Sequence, residues 1–529
     1  MAAGELIALA ASVGDIDTSD NLDMCEAYQK VFIVNGANLK VADFINTKLT
    51  CSALTNPPAH GDILTQDQTG SNYAFMVVDL VNTAKTAVYG YAYYSGAATA
   101  FNITNTVTSN NATATMDATF TPTAVTAGPL WYDWTVYPNI VLSVAKYGQE
   151  AATTKSFGSL PNKAYIIALY RGRPVISGDP EHPNQWYMLR QANPFDAAYC
   201  ANDAGSPVAG HDADAGEAGD ITRALIPYKD DYLIIGCATQ LWFISGDPAA
   251  GGSINELSLT AGILGAKAWA WDKNDSLYIL GTTGILRIPP GFGPPENLTE
   301  ESYPDFIKDL AYNPTLHRIT MGYDKTRHGI QICKTTIADG SSECWWYDLR
   351  SSGLFPETYP DECGPYSMFY YDSNDPDDRG LLFGCRDGYL RVHDDEEEND
   401  NIGATSELID SYVTVGPIPL GDGNKEGVIN SLAVETVGGG SSGSIQDSNN
   451  VEYGLYVDRS ADGVMEKAIL GTSPNVSGTI SAPGRPRGNN KRQKVRGSYA
   501  VLKLQNDTVN QTWGLEKIII NGKEKGRVK

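Results

Sequence analysis

Short apolar runs that end in glycine and are answered within a few residues by a second apolar run recur along this chain. The cleanest is Leu277-Tyr-Ile-Leu-Gly281, then Thr282-Thr283, then Gly284-Ile-Leu-Arg-Ile288. Such a pattern predicts a β-hairpin with a tight turn. The same grammar appears in Tyr232–Gly236 with Leu241–Ser245, and in Leu381–Gly384 with Tyr389–His393. Looser copies are Phe32–Gly36 with Leu39–Asp43, Val175–Gly178 with Trp186–Leu189, and Ile319–Gly322 with Gly329–Cys333.

An aromatic residue and a polar turn precede four of these six hairpins: Tyr228-Lys-Asp-Asp231, Trp271 to Ser276, Tyr312 to His317, and Tyr371 to Asp378. With the first glycine of each hairpin as a marker, positions 178, 236, 281, 322 and 384 are 58, 45, 41 and 62 residues apart. Units of this length holding about four short strands are the mark of propeller blades, each unable to bury its apolar face until a neighbour stacks on it. An irregular β-sandwich also uses glycine hairpins, but it gives no reason for the aromatic and polar lead-in to recur.

The character changes after Lys48. Up to about Leu130 the chain is rich in Thr, Ala, Ser and Asn and poor in charge, with β runs at Tyr73–Asp79 and Ala87–Tyr94. These runs carry enough β-branched and aromatic residues for a small β domain inserted in the first blade. Because a blade needs only that the two ends of an insertion meet, this one reads as separable. Beyond residue 400, alternating strands at Glu407–Val415, Val428–Glu435, Val451–Val457, Tyr499–Leu504 and Trp513–Ile520 predict sheets with one buried face. Val437 to Asn450 reads as a mobile loop. The expected fold is all-β: a β-propeller with an inserted β domain and a C-terminal β-sandwich-like domain. Its expected segments are 1–48 (N-terminal segment and first hairpin), 49–130 (insertion), 131–400 (remaining blades) and 401–529 (C-terminal domain with a basic loop).

Composition sharpens this reading in one respect. The chain of 529 residues has a formal charge of −24, which argues against a surface that grips phosphates. Yet residues 484–529 hold twelve Lys and Arg against Asp507, Glu516 and Glu524, a local balance of +9. Six of these cations, Arg485, Arg487, Lys491, Arg492, Lys494 and Arg496, fall together, with Pro486 and Gly488 pointing to a loop. The eight cysteines form no CxxC pair, which suits free thiols in a reducing compartment. No run of eighteen apolar residues predicts a membrane span, and Met1 to Ala11 lacks the basic flank of a signal peptide.

Catalytic and metal chemistry find little foothold. There is no HExxH or GxxxxGK[ST], and Ser177 and Ser245 sit in Ile-Ser-Gly, not in a GxSxG elbow. His211 to Asp220 packs four carboxylates into ten residues, but without EF-hand spacing, and the acidic run Asp394 to Asp400 reads as a solvated loop. A glycosidase would need two carboxylates about 5 to 10 Å apart, and the sequence singles out no pair. No cofactor, metal or catalytic residue is expected.

Leu169-Tyr-Arg-Gly-Arg-Pro-Val-Ile-Ser-Gly-Asp-Pro180, with Asn184 to Arg190 and Asn193 to Asp196, resembles a blade motif of the tail nozzle proteins of short-tailed bacteriophages. The resemblance continues through Tyr228–Leu233, Gly236–Thr239, Asp247–Gly252, Ile288–Pro294, Thr320–Asp324 and Trp346–Arg350. It returns at Val415–Pro419, Arg496–Ser498, Leu502–Leu504, Trp513–Glu516 and Gly526–Arg527. It covers most of 28–48 and 160–529 and leaves the insertion unmatched.

The resemblance implies a virion structural protein, made in the host bacterial cytoplasm and sited in the tail. It implies a ring, six copies in the family, docked on a tail adaptor, through which double-stranded DNA passes on ejection. An acidic lumen would let DNA slide, whereas a basic one would hold it. The six clustered cations are then expected to be an assembly contact with protein carboxylates. Two other classes fit the residues: a tail appendage recognising host glycans, favoured by Tyr89-Gly-Tyr-Ala-Tyr-Tyr94, and a propeller polysaccharide hydrolase.

Overall fold

The computed structural model describes residues 16–17, 21–110, 119–137, 160–198, 204–210, 216–376, 379–393, 398–402, 405–421, 425–438, 448–449, 451–480 and 491–527. The chain divides into two compact units, Met1–Thr315 and Leu316–Lys529.

The first unit holds four antiparallel meanders of four strands. The first comprises Asp23–Ala27, Lys30–Val34, Leu39–Asp43 and, after a long excursion, Leu130–Asp133. The second runs Ile166–Tyr170, Arg173–Ser177, Trp186–Met188 and Val208–Ala209, and the third Thr222–Tyr228, Tyr232–Cys237, Leu241–Ser245 and Ser253–Ser258. The fourth runs Trp269–Trp271, Leu277–Gly281, Gly284–Ile288 and Glu296–Asn297. Each is the blade of a β-propeller, and the blades bury their faces against one another as such units must. Phe32 and Val34 of the first share a core with Ile167, Ile176 and Phe195 of the second. Trp186 and Val175 of the second share another with Leu225, Leu233 and Ile244 of the third.

The recurrent polar turn now has a reason. At Tyr228, Trp271 and Tyr371 it joins strands one and two of a blade, whereas Tyr312 to His317 precedes strand one. Turns between strands one and two reach the same turn of the next blade. The Tyr28 hydroxyl donates to the Gly172 carbonyl, Arg171 Nε to the Asp230 carbonyl at 3.0 Å, and Lys229 Nζ to Asp275 at 2.8 Å. In the second unit Lys325 pairs with Asp372 at 2.7 Å in the same way. Exposed pairs of this kind are screened by water and contribute little to stability, so they chiefly set alignment. A stronger tie lies deeper: fully buried Arg173 donates to Asp247 Oδ2 at 2.8 Å and to the Ser206 carbonyl at 2.6 Å.

Between strands three and four of the first blade lies a seven-stranded sheet, ordered Ala124–Ala127, Asn46–Thr50, Ala87–Ser95, Tyr73–Val81, Ile63–Asp67, Val107–Ser109, Thr119–Phe120. One face closes on its own core of Leu49, Leu64, Met76, Val78 and Val88. The expectation of a freely separable module does not hold. Leu80, Ala87 and Tyr89 belong to the core of the first blade beside Phe32 and Val41. A buried polar network also crosses the junction: Lys30 Nζ lies 2.8 Å from Asp79, Asn46 Nδ2 donates to Asp43 at 2.7 Å and to Asp79 at 2.8 Å, and the Tyr132 hydroxyl donates to Asp43 at 2.8 Å.

The second unit begins with a four-stranded meander, His317–Asp324, Gly329–Thr336, Ser342–Asp348 and Gly353–Glu357. A three-stranded one follows, Pro365–Tyr371, Gly380–Cys385 and Leu390–Val392. The hairpin at 319–333 is real but lies one strand out of phase. It joins strands one and two of its blade, and Gly322 sits inside a strand opposite Gln331, not at the turn.

After a small hairpin, Asp400–Ile402 with Thr405–Glu407, the chain ends in two sheets packed on one core. One sheet contains Ser411–Pro419, Tyr499–Asn506, Val451–Asp458 and Val476–Ile480, and the other contains Lys491–Gly497, Lys425–Thr436 and Leu515–Arg527. Ile429, Leu432 and Val434 of the second meet Leu455, Leu502 and Leu504 of the first. A helix, Ala461–Ile469, started by Ser460 Oγ accepting from the Gly463 amide at 3.1 Å, covers Tyr456 and Val501 through Val464 and Ala468. Of the loop expected over Val437 to Asn450, residues 439–447 and 450 lie outside the described residues.

Candidate functional site

The cationic cluster expected as a loop is in part a strand. Lys491–Gly497 pairs antiparallel with Lys425–Thr436, with Val495 opposite Ile429 and Arg496 opposite Val428. Val495 is buried while Lys494 and Arg496 on either side are exposed. One anchoring apolar residue suffices here because the neighbouring strand supplies the hydrogen bonds and the core. Pro486 and Gly488, which signalled the loop, lie outside the described residues. Arg485 and Arg487 lie outside the described residues, as do the side chains of Lys491 and Arg492. Arg496 Nε donates to Glu426 of the adjacent strand. Lys517, Lys523 and Lys525 stand exposed on Leu515–Arg527, and Lys425 pairs with Glu524 at 2.6 Å. The basic segment therefore forms much of a strand-built surface in an otherwise acidic chain.

The three-stranded meander presents a second surface. Phe369, Tyr371, Tyr389, Leu390 and Val392 are all exposed on it. Among the described residues its outer strand, Leu390–Val392, pairs only with Gly380–Cys385, whereas the preceding five meanders have a fourth strand. Exposed apolar side chains beside an open strand edge mark a surface suited to a protein partner.

Beside that meander is a cavity of about 360 Å³ lined by Tyr359, Cys363, Phe383, Cys385, Arg391 and Asp400. Burial, and then the nearby Glu407 carboxylate, pushes Asp400 up to about 6. Burial pushes the Cys363 thiol up to about 12 and raises Cys385, so neither is a ready thiolate nucleophile. Arg391 is held by Asp387 in a two-pronged pair at 2.9 and 2.6 Å.

A more open cavity in the first unit gathers Asp179, Glu181, His182, Tyr187 and Glu217. Its carboxylates serve the fold: Asp179 accepts from the Glu181 amide at 3.1 Å, and Glu217 accepts from Asn184 at 2.8 Å and from Gln185. Burial and the Asp179 carboxylate push the Tyr187 phenol up to about 12. The two Ile-Ser-Gly-Asp-Pro copies thus do different work, since Asp247 instead neutralises Arg173 and caps the turn at Pro248–Ala250. Of the acidic stretches, 211–215 and 394–397 lie outside the described residues, and Asp220 is spent on the Thr239 amide and hydroxyl at 2.8 Å. Among the described residues no group of three or more His, Cys, Asp or Glu is placed to hold a metal ion, and no helix is long and apolar enough to cross a membrane.

The run Tyr89 to Tyr94 is sorted by the two-residue period of its strand. Tyr89 packs on Tyr132 with centroids 4.4 Å apart, Tyr94 turns to the opposite face with its ring 6.3 Å from Phe101, and Tyr91, Tyr93 and Tyr94 are all exposed. Sequence reasoning did not link them to Phe75, which stacks on Tyr93 from the neighbouring strand; the register between two strands carries that link.

No family model matches the chain, and no curated protein matches it. Among solved structures it is similar to the extracellular domain of a hybrid two-component system from B. thetaiotaomicron, at 11% identity and a TM-score of 0.33. That match covers 95% of this chain and 56% of the domain, so the chain spans little more than half of it. A protein of unknown function from Bacteroides thetaiotaomicron matches at 10% identity, 74% and 90% coverage and a TM-score of 0.26. A bifunctional GH43-CE protein of Bacteroides eggerthii matches at 10% identity, 91% and 64% coverage and a TM-score of 0.22.

Proposed function

We propose that this chain is a non-catalytic structural protein of a virion: the tail nozzle of a short-tailed bacteriophage, assembled as a ring of six copies on a tail adaptor and passing double-stranded DNA. The observation that carries the reading is the ordered series of nozzle-like motifs along the sequence. In the fold many of them occupy blade junctions: Arg173 and Asp247 pair with each other, Asp231 accepts from the Tyr170 hydroxyl, and the Gly291 amide donates to the Tyr228 hydroxyl at 3.0 Å. A chain of −24 with a cationic C-terminal strand pair also suits repeated self-association, acidic body against basic strand. The cluster Arg485, Arg487, Lys491, Arg492, Lys494 and Arg496 is the assembly contact in this reading, joined by the apolar surface of the three-stranded meander.

Electron microscopy of the purified oligomer tests it. A closed ring with an open channel is the expected result, and a trimer or a lone monomer at high concentration would overturn it. Arg492→Glu, Lys494→Glu and Arg496→Glu together are expected to abolish ring formation while the subunit stays folded by circular dichroism. Normal assembly of that variant with loss of DNA retention would move the cations to the channel.

A further inference from the structure

We infer that the outward face of the inserted sheet is a binding platform for an uncharged glycan, a site independent of any role in a tail. The rows of cross-strand neighbours define it. Thr119, Thr108, Thr65, Phe75 and Tyr93 stand opposite one another on five successive strands. Val77 and Tyr91 form the next row, and Tyr73 extends the third. Their in-between neighbours Leu64, Ala74, Met76 and Val107 fill the sheet's own core, so the platform residues share the opposite face.

One half of this face is aromatic. Phe75 and Tyr93 stack at 5.0 Å with planes 13° apart, Tyr73 lies 6.0 Å from Phe75, and Tyr91 and Tyr93 are 55% and 38% exposed. The other half is a line of threonines, of which Thr108 and Thr119 are exposed. Flat rings offer the C–H face of a pyranose an apolar contact, and the adjoining hydroxyls offer partners to its equatorial oxygens. A tyrosine does both, having an apolar body and a polar tip.

Charge selects among possible occupants. Residues 46–127 contain six charged side chains in 82 positions, against 19% charged residues in the chain. On this face Lys48 is drawn over Tyr89 with Nζ 5.8 Å from the ring centroid, Asp79 is tied to Lys30, and Asp67 accepts from the Thr69 amide at 2.9 Å. The rows of the platform therefore offer no cation for a phosphate, sulfate or uronate, and Asp67, opposite Tyr73 at the rim, leaves an exposed carboxylate that disfavours acidic sugars further. Protein interfaces also favour aromatic, charge-poor centres, so it is the row of threonine hydroxyls beside the rings that points to a saccharide here. A neutral saccharide, recognised by stacking and hydroxyl contacts, fits what is exposed.

The experiment applies the full chain to an array of immobilised neutral glucans, galactans, mannans and N-acetylhexosamine polymers, beside uronate-bearing and sulfated polysaccharides. Retention on at least one neutral polymer, insensitive to salt, is expected. Tyr91→Ala and Tyr93→Ala should each weaken it about tenfold, equal to about 1.4 kcal/mol, with unchanged circular dichroism, and Ile469→Ala on the exposed C-terminal helix should leave it intact. Retention only on acidic polymers, retention on none, or equal binding by both tyrosine variants would overturn the inference. So would loss of self-association, in place of sugar binding, in those variants, since the face would then join copies of the chain.

Discussion

Removing the carboxylate of Asp79 probes how firmly the inserted sheet is tied to the first blade. The Lys30 side chain is 4% exposed and its Nζ lies 2.8 Å from Asp79 Oδ2, itself 20% exposed. Its other hydrogen bond is a long one, 3.5 Å to the Tyr28 carbonyl. In Asp79→Ala the buried ammonium loses the carboxylate it touches, leaving only the cross-strand Asp43 nearby, and Asn46 Nδ2 loses one of its two acceptors. Breaking a buried pair from one side costs about 3 to 5 kcal/mol. At about 2.1 cal/mol/K per residue, a 315-residue unit has an unfolding entropy of roughly 0.7 kcal/mol/K, so its transition should fall by about 5 to 8 °C. Scanning calorimetry reads the shift, and hydrogen exchange of peptides spanning 30–46 assigns it to this junction. The double variant Lys30→Met, Asp79→Leu should recover most of the loss, because well-packed apolar residues can replace a buried pair at little cost. A shift below about 1 °C in the single variant, or a double variant as unstable as the sum of the singles, would refute the reasoning.

Other perturbations follow from single sites. Gly284 has φ +147° and a Cβ there would lie 2.2 Å from Thr299 Oγ1, so Gly284→Val should destabilise the first unit by about 2 to 4 kcal/mol in thermal melts. Gly281 lacks the positive φ, and Gly281→Val should act instead by crowding the Gly262 carbonyl and Leu286. Asp247→Ala strips the carboxylate from buried Arg173 and should cost about 3 kcal/mol, read as the same transition moving down. Because folded Asp400 titrates near 6 and the unfolded group near its usual value of 3.8, the native state holds a proton that the unfolded chain has released. Stability of the second unit should therefore fall as pH rises through that window, and Asp400→Asn should flatten the slope in denaturant melts on either side of it.

Much of the strand pattern was legible because a blade hairpin is a local object: alternation, a glycine and a short polar turn lie within about fifteen residues. The error at Ile319–Cys333 was one of phase, since strands one and two of a blade look like strands two and three. With strand two as the marker, its ends at Ser177, Cys237, Gly281, Thr336 and Cys385 give steps of 60, 44, 55 and 49 residues, more even than the glycine steps. Lys491–Gly497 was missed because Val495, the one apolar side chain in its sequence, gives no periodicity by itself. The aromatic platform was half visible: Tyr91 and Tyr93 stood out, but Phe75 and the threonine rows joined them only through register across five strands. The Arg173–Asp247 tie spans 74 positions and has no local trace.

The two crossings between the first blade and its inserted sheet also bear on how fast the chain can fold. Asp43 pairs with Leu130, 87 positions away, and directly beyond them Thr47 pairs with Ala127. Closing the blade's last strand over an unstructured loop of that length, and not over one of a few residues, would cost about 2 to 3 kcal/mol of chain entropy. If the inserted sheet forms first, its outer pair delivers Leu130 already beside Asp43 and the penalty disappears. In that order of folding the insertion acts as a clamp, and lesions within 46–127 should slow refolding of the blade while leaving its unfolding rate nearly unchanged.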